Sequence, residues 1–198
     1  MLTLAGVAVD PTSVATGLVL SSGTALVLRP LEPRDRARLA VFFDGLSACS
    51  RLFGGVSGDA ADQAVEHCDA IGRYDKLRLL LCTGDPGEHA VGLLELSLDV
   101  VVADLERFRD YGVDLGRRDA RFGLCVADAF HGTGAAALAS TATFDVARAF
   151  GMSRLILWGG VRDDNVRARR FYRRLGFAEL GTWVEPTGQV VHDGLLEL

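Results

Sequence analysis

The sequence is poor in lysine and in long apolar runs. Lys76 is the only lysine beside twenty arginines, and the net charge is −5. Because a nucleic-acid backbone requires a clustered basic surface, this charge balance argues against a nucleic-acid partner. The apolar stretches are too short or too interrupted to cross a bilayer, and no basic leader precedes an apolar run. The composition therefore predicts a cytoplasmic protein with no membrane partner.

The sequence also lacks paired cysteines. Cys49, Cys68, Cys82 and Cys125 form no C-x-x-C motif, and no histidine stands at metal-ligand spacing. This pattern argues against a zinc site and against a disulfide framework, so we expect reduced thiols and no metal. A cysteine nucleophile would require a matched histidine in a polar setting, whereas Cys125 lies in the middle of an apolar strand.

The chain has 198 residues, of which 49% are hydrophobic and 24% charged. This length and composition predict one globular domain with a substantial core. We expect residues 1–23 to form an N-terminal extension with short strands at 2–9 and 17–20, and residues 24–198 to form the domain.

Hydrophobic periodicity and turn residues predict an α/β chain. Pro33 suits the start of a helix that is expected to run to about residue 50, and Gly54-Gly55 suits a break. Residues 77–83 and 90–98 are expected to form a hairpin about residues 84–87. The further expected helices are 59–71, 135–150 and 165–175, and the further expected strands are 24–28, 122–126, 154–158, 177–184 and 189–196.

Residues 120–138 organise the chain as an apolar strand, a short loop and a helix opened by Gly132 and Gly134. The N–H groups in the first turn of a helix have no internal partners, and the helix dipole adds positive potential there. Glycine lets a ligand approach the backbone closely. This order predicts that main-chain groups bind a diphosphate.

Two other interpretations of this stretch are open. The small residues could simply let a helix pack closely on a sheet. Gly132, Gly134 and Ala137 also fit the dinucleotide pattern G-x-G-x-x-G/A, but residues 127–131 separate strand from glycine and only 66 residues follow Gly132. A triphosphate loop is excluded because no Lys-Ser or Lys-Thr follows the glycines.

The same stretch resembles the pyrophosphate signature of the GNAT family of N-acetyltransferases, Arg/Gln-x-x-Gly-x-Gly/Ala. His131 takes the Arg/Gln place, Gly134 that of the first glycine and Ala136 that of the last small residue. The resemblance covers most of residues 24–184. It implies a single-domain α/β fold with a mixed, mostly antiparallel sheet flanked by helices and splayed at the cofactor. His131 departs from the signature and carries charge only when protonated, so we expect CoA affinity to rise as pH falls.

A second segment resembles the family's N-x-x-A-x-x-x-Y-x-x-x-G-F pattern and starts at Asn165. Read without the family, Asp163, Asp164 or Asn165 can cap a helix that ends at Gly176. Tyr172 could be an aromatic at the edge of the core with its hydroxyl in water. The resemblance implies instead that Tyr172 faces the acyl sulfur and protonates the departing thiolate.

The resemblance implies direct transfer of an acetyl group from acetyl-CoA to a primary amine in a ternary complex, without a metal. The acceptor is a small-molecule amine or a protein amino group. The residues implied to bind the cofactor are Cys125, Val126, His131, Gly132, Thr133, Gly134, Ala135, Ala136, Asn165, Phe171 and Tyr172.

Glu95 is the candidate general base because it interrupts an apolar strand, where a carboxylate would have a raised pKa. The alternative for Glu95 is a strand position that faces solvent. Residues 29–35 and 46–53 resemble the start of bacterial acetyltransferases of the protein-lysine branch. That branch often has a glutamate on the following strand, near the place of Arg121 in this chain, which weakens the protein-lysine interpretation.

Two further segments have two interpretations each. The arginine-rich run 162–174 is a solvated helix face or a contact for the 3′-phosphate of CoA. The insertion 99–119 is a helix and loop over the cleft, or an oligomer contact such as that of a homodimer. His131, Arg121 and the insertion also keep a second function open, a non-catalytic acyl-CoA-binding regulatory or interaction module, whereas Tyr172 in its motif favours an enzyme.

Overall fold

The computed structural model describes residues 1–84 and 89–198. One nine-stranded sheet forms its centre, with helices on both faces. The strands β1 to β9 are Thr16–Val19, Ala25–Pro30, Lys76–Thr83, His89–Ser97, Asp119–Val126, Arg154–Leu157, Val161–Arg162, Ala178–Val184 and Val190–Glu197. The helices α1 to α7 are Leu4–Val9, Arg36–Asp44, Ala48–Phe53, Ala60–Asp69, Val102–Asp110, Ala135–Ala149 and Val166–Arg174.

The strand order is β1-β2-β3-β4-β5-β6-β9-β7, and β8 pairs with β9. All pairs are antiparallel except β5 with β6. The mixed, mostly antiparallel sheet flanked by helices confirms the predicted fold class. In the described part of the chain, no helix has the length and apolarity needed to cross a membrane.

The two strands of the parallel pair separate before β5 ends. Their register runs only from Asp119 to Phe122 on β5, and one more hydrogen bond joins Trp158 N to Phe122 O at 2.9 Å. Residues 123–126 of β5 pair with β4 alone. The sheet therefore opens on one side of the end of β5.

Both faces of the central strands are buried. Leu79, Leu80 and Leu81 of β3 are all fully buried although successive side chains point to opposite faces. On one face α1, α6 and α7 cover a cluster that includes Phe122 and Phe177, which stack with centroids 6.3 Å apart. On the other face α2 and α4 cover Leu80, and α5 covers a smaller cluster. This double burial explains why β3 is a continuous apolar run rather than an alternating one.

Two predicted elements at the start of the chain are wrong. Residues 4–9 form a helix instead of a strand, because the side chain of Thr3 accepts a hydrogen bond from Gly6 N at 3.0 Å and caps the first turn. The helix is held to the end of α6 by the bond from Leu2 N to Ala149 O. The single helix expected over 33–50 is a short 3-10 turn, Pro33–Asp35, followed by α2 and α3.

The remaining expected helices and strands are found within one or two residues of their predicted ends, except that β5 starts three residues before the predicted residue 122. The two-residue strand β7 was not predicted. The predicted hairpin joins β3 to β4 antiparallel. Its turn was expected at residues 84–87, of which 85–87 lie outside the described residues.

A buried carboxylate joins β2 to α2. Asp35 is fully buried and accepts hydrogen bonds from Arg29 Nη1 and Nη2, both at 2.7 Å, and from Glu32 N at 3.0 Å. It also pairs with Arg38. Burial alone would raise the pKa of Asp35, but these donors lower it below its usual value. The charge is therefore fully compensated in the folded protein.

We expect Asp35→Asn to lower the free energy of unfolding by about 3 kcal/mol, because it leaves a buried guanidinium without its carboxylate. Since the pKa of Asp35 is lower in the folded state, its contribution is fully present above about pH 4 and is lost as the pH falls through the folded-state value. Urea denaturation at neutral and acidic pH measures both effects. Asp44→Asn, at an exposed position on the same helix, is the matched control. Equal stability of the two variants at neutral pH would contradict this account.

Candidate active site

The loop after β5 leads directly into the N-terminus of α6. Gly132 and Gly134 have φ angles of +77° and +91°, and Gly134 is the residue that precedes the helix. An added Cβ would meet no atom within 4 Å at either position. The left-handed backbone conformation, and not lack of space, therefore requires glycine here. The space in front of both residues is open.

Main-chain donors line this open space. In the described part of the chain, the N–H groups of Gly132, Gly134 and Ala136 have no hydrogen-bond acceptor in range. Thr133 Oγ1 donates to Phe130 O at 2.8 Å and accepts from Ala135 N at 3.3 Å, which fixes the shape of the loop. The fifteen residues of α6 add the positive end of a helix dipole. The arrangement suits the binding of an anion.

Both ring nitrogens of His131 have hydrogen-bond partners. Its Nε2 lies 3.0 Å from Val126 O, and its Nδ1 lies 2.7 Å from Arg167 Nη1. A carbonyl oxygen only accepts and a guanidinium only donates, so with these partners Nε2 donates and Nδ1 accepts. Asp128 Oδ1 lies farther from the same Nδ1, at 3.7 Å. Arg167 thus places a fixed positive charge beside the loop, next to the histidine for which the sequence suggested one.

Asp128 ties the loop to α3. Its carboxylate accepts hydrogen bonds from Ser47 N at 2.9 Å, from Ser47 Oγ at 2.8 Å and from Ser50 Oγ at 2.7 Å. The bond from Ser47 N, with those from Ser50 and the Ser47 hydroxyl, lowers the pKa of Asp128 to about 2. The end of α3 packs closely against β5, so that an added Cβ at Gly54 would lie only 2.7 Å from Cys125 Sγ. Sequence reasoning marked Asp128 only as a loop residue.

The four cysteines are free thiols. Burial raises the pKa of Cys125 to about 12, and Asp128 adds to the shift. Cys68 and Cys82 are also buried, and burial raises the pKa of both thiols. Among the described residues, no three His, Cys, Asp or Glu side chains are grouped closely enough to hold a metal ion. Because its pKa is raised, the thiol of Cys125 stays protonated, and its side chain contributes to the wall of the cleft.

Tyr172 lies on the inner side of α7, against the aromatic cluster beneath the end of β5. Its ring makes edge contacts with Phe177 at 5.5 Å and Phe122 at 6.4 Å, and Phe171 contacts it at 5.3 Å. Burial raises the pKa of Tyr172 above its usual range, and Cys125 adds to the shift. The hydroxyl makes no hydrogen bond to any residue that the structure describes. A phenol in this state remains protonated and is able to donate its proton.

Asn165 acts as the N-cap of α7, since its Oδ1 accepts a hydrogen bond from Ala168 N at 3.1 Å. The asparagine of the second motif thus fixes where α7 starts. Along the helix, Arg169 pairs with Asp163 at 2.9 Å and with Glu179 at 3.2 Å. These pairs join Arg169, whose side chain is 22% exposed, to β8 and to the segment before α7, whereas Arg167 turns toward the loop. The two interpretations of the arginine run stay predictions.

Glu95 lies on the opposite face of the sheet from Tyr172. It is paired with Gly123 of β5, and Tyr172 contacts the neighbouring Phe122, whose side chain points the other way. Glu95 Oε1 lies 2.6 Å from Arg78 Nε. A cation, and not the apolar surroundings expected from the sequence, therefore stands next to this carboxylate. The two candidate catalytic residues flank β5 where it separates from β6.

The insertion 99–119 forms α5 and borders the cleft on the side of β6 and β9. Arg107 of α5 pairs with Asp193 at 2.6 Å and with Asp104 at 2.7 Å. Next to α5, the sequence analysis missed a cluster of Lys76, Arg121 and Trp158 on the face of Glu95. Its only sequence signal was charged residues inside otherwise apolar strands.

Three comparisons with known proteins bear on this geometry. A sequence model described as "Acetyltransferase (GNAT) family" matches residues 59–177, more than half of the chain. A search of curated proteins gave no significant match. Since the family match spans most of β3 to α7, the assignment includes the loop, the open edge of β5 and the second motif.

Solved structures share the fold at low identity. The GNAT domain of S. lividans PAT has a TM-score of 0.74 at 19% identity and covers 95% of this chain and 99% of its own. Spermidine N-acetyltransferase from Vibrio cholerae, in complex with CoA and spermine, has a TM-score of 0.64 at 20% identity, covering 87% and 95%. An aminoglycoside acetyltransferase in complex with coenzyme A has a TM-score of 0.67 at 17% identity, covering 87% and 94%. The chain belongs to the GNAT family of acetyltransferases.

Proposed function

We propose that the protein transfers the acetyl group of acetyl-CoA directly to a primary amine in a ternary complex, in the cytoplasm as the composition predicts. The observation that carries this proposal is the opening between β5 and β6. The anion-binding start of α6 lies at one end of that opening, and Tyr172 lies beside it. Similar structures are named for spermidine and aminoglycosides, which are amines, although their low identity supports only this class of acceptor.

The site fits a CoA thioester. The diphosphate would lie on the N–H groups of residues 132–136, next to Arg167. The pantetheine would follow the open edge of β5, where the peptide groups of Leu124 and Val126 point away from β4, since Ala127 N bonds Val91 O on the β4 side. Val126 O already accepts from His131. In this arrangement Cys125 forms part of the wall of the groove. Asn165 caps α7, and Phe171 supports the ring of Tyr172.

The chain supplies an acid and a base to the reaction. The amine nitrogen attacks the thioester carbonyl, so a C–N bond forms and the C–S bond breaks. Glu95 is proposed to take one proton from the incoming ammonium, and Tyr172 to give its proton to the leaving sulfur. The second proton, which the nitrogen loses as the amide forms, then restores the phenol of Tyr172 through solvent. Their positions on opposite faces of β5 suit entry of the acceptor from one face and departure of the thiolate on the other.

One alternative function has a specific observation in its favour. The ion pair between Glu95 and Arg78 occupies the carboxylate that is proposed to act as the base. Such a pair would be found in an acyl-CoA-binding module that does not catalyse the transfer. The half-buried, unbonded phenol of Tyr172 favours the enzyme, since a purely structural tyrosine usually bonds through its hydroxyl when buried. Release of thiol from acetyl-CoA in the presence of an amine panel separates the two functions.

The first prediction concerns the diphosphate. We expect Gly134→Asp to weaken CoA binding roughly 10-fold more than Gly134→Asn, because both strain the same left-handed position and only aspartate adds a repelling charge. Isothermal titration calorimetry measures both affinities. Gly188→Asp, at an equally open left-handed position away from the site, is the control for folding. Equal affinities of the two Gly134 variants would remove the diphosphate from this loop.

The second prediction concerns His131 and Arg167. Because His131 Nδ1 already accepts a hydrogen bond from Arg167, wild type and His131→Gln should show the same pH dependence of CoA affinity between about pH 5.5 and 8, the range in which a histidine titrates. Any shared dependence belongs to the 3′-phosphate of CoA itself. Arg167→Gln should weaken binding several-fold at every pH. A pH dependence that disappears only in His131→Gln would show that the histidine carries the charge.

The third prediction concerns Tyr172. We expect Tyr172→Phe to lower kcat by about 10²-fold, the low end for general acid catalysis because a thiolate leaves fairly well unaided, and to leave CoA affinity nearly unchanged. Since the pKa of Tyr172 is raised, the wild-type rate should not fall on the alkaline side up to about pH 10. Glu95→Gln should instead move the activity toward higher pH, where more acceptor is already neutral.

A pH–rate series with any acetylated amine makes this test. The matched control is Tyr111→Phe, which removes a hydroxyl that donates to Asp193 outside the proposed reaction centre. Unchanged turnover of Tyr172→Phe would leave this side chain with a packing role only.

A further inference from the structure

Two cations lie over one indole ring beside the proposed reaction centre. Lys76 Nζ is 4.1 Å and Arg121 Cζ is 4.5 Å from the centroid of Trp158. Arg121 is only 8% exposed, and Asp119 is the only other charged residue on its strand. Trp158 follows the end of β6 and packs beside Gly123, the residue paired with Glu95. The cluster therefore borders the face from which the acceptor would enter.

The nearest carboxylates have other partners at shorter distances. Glu95 is bound to Arg78 at 2.6 Å, and Asp104 Oδ1 to Arg107 at 2.7 Å. Asp99 accepts a hydrogen bond from the hydroxyl of Ser97 at 2.6 Å. Asp104 Oδ2 forms an ion pair with Arg121 at 3.7 Å, and among the described residues no carboxylate hydrogen-bonds to Lys76 or Arg121.

Arg121 keeps donors without acceptors. Its Nη2 reaches Ser97 Oγ at 3.3 Å, and its Nη1 stays 3.7 Å from Asp104 Oδ2, beyond hydrogen-bonding distance. Its buried Nε has no acceptor. Leaving a buried charged donor unpaired is costly, and proteins rarely do so without a reason.

Lys76 is in a similar state. Among the described residues it forms no salt bridge, and its ammonium rests on the rings of Trp158 and Tyr74. Burial lowers the pKa of Lys76; Glu95 opposes this shift, whereas Arg78 and Arg121 add to it. Three cations therefore lie close enough to one another to repel. An anion bound among them would relieve that repulsion.

We propose that the acceptor amine also carries a carboxylate, which Arg121 and Lys76 bind over Trp158. This inference rests on the proposed function and specifies its substrate. On β5, Arg121 is two residues from Gly123 and on the same face, a separation of about 7 Å. A carboxylate held by Arg121 would thus place an amine on a short spacer beside Glu95. The same cations would repel a polyamine.

The test compares amines that differ only in that charge. The probes are 4-aminobutyrate and 5-aminopentanoate, each against its primary amide, and a diamine of the same length. A peptide with aspartate at its second position, against its asparagine counterpart, tests whether the carboxylate belongs to a protein. Thiol release from acetyl-CoA gives kcat/KM, and NMR titration of the CoA complex gives affinity without turnover.

We expect at least one acid to exceed its amide roughly 10-fold to 100-fold in kcat/KM or in affinity, as a charge-assisted contact requires. Lys76→Met should reduce that preference, and Lys76→Arg should keep most of it. Arg121→Lys tests the second cation while preserving its charge. Arg148→Gln, which removes one exposed cation on α6, should leave the preference unchanged.

Equal rates and affinities of acids and amides in the wild type would overturn the proposal, as would a preference that survives Lys76→Met unchanged. Selective binding of an acid without any thiol release would support the carboxylate site and count against the proposed transferase activity. Acetylation of amides as fast as acids would support the proposed transferase activity and count against the carboxylate site. The two failures are therefore distinguishable.

Discussion

The separation of β5 from β6 is the constraint on which the site depends. The bond from Trp158 N to Phe122 O is the last one between the two parallel strands. Beyond it, one edge of residues 123–126 has no neighbouring strand. Unpaired backbone groups in the interior of a sheet are unfavourable unless a ligand or side chains satisfy them. The opening therefore combines a shaped groove with main-chain donors and acceptors, and α6 starts at its end. Glu95 and Tyr172 reach it from opposite faces because neighbouring strand residues point in opposite directions.

The loop at the end of this groove is held by side chains from both sides of the fold. Asp128 binds Ser47 and Ser50 at the start of α3, and His131 binds Arg167 of α7. Helices that flank the proposed acceptor and cofactor regions are thereby joined to the same few residues. A change in the position of either helix would be transmitted to the loop through short hydrogen bonds. The loop needs these hydrogen bonds to hold its shape, because its glycines leave it little rigidity of its own.

Polar side chains in this protein are used mainly to bring distant segments together. Asp35 joins β2 to α2, Asp193 joins β9 to α5 through Arg107, and Asp119 joins β5 to β6 through Arg154. Each of these carboxylates is buried and paired with arginine, whose planar guanidinium suits two parallel hydrogen bonds. Arg121 differs from the arginines of these pairs because its nearest carboxylate oxygen, Asp104 Oδ2, is 3.7 Å away and, among the described residues, its buried Nε has no acceptor. That contrast makes its environment informative about a ligand.

The sequence by itself determined the features that depend on neighbouring residues. The apolar strand, the glycines with left-handed backbone, the start of α7 at Asn165 and most helix and strand limits follow from local periodicity and capping. The fold class and the family follow from two such local motifs in the right order. The predicted strand over residues 2–9 was wrong because Thr3 caps a helix there, and the bond from Leu2 to Ala149 that holds this helix lies far along the chain.

Only the tertiary structure decided the charges of the site. The break between α2 and α3 is supported by the contact of Ser47 with Asp128, 81 residues away, and His131 Nδ1 is hydrogen-bonded to Arg167, 36 residues away. The partner of Glu95 is Arg78 on the neighbouring strand. Hydrogen bonding and ion pairing depend on which groups meet in space, and the spacing of residues along the chain does not contain that information.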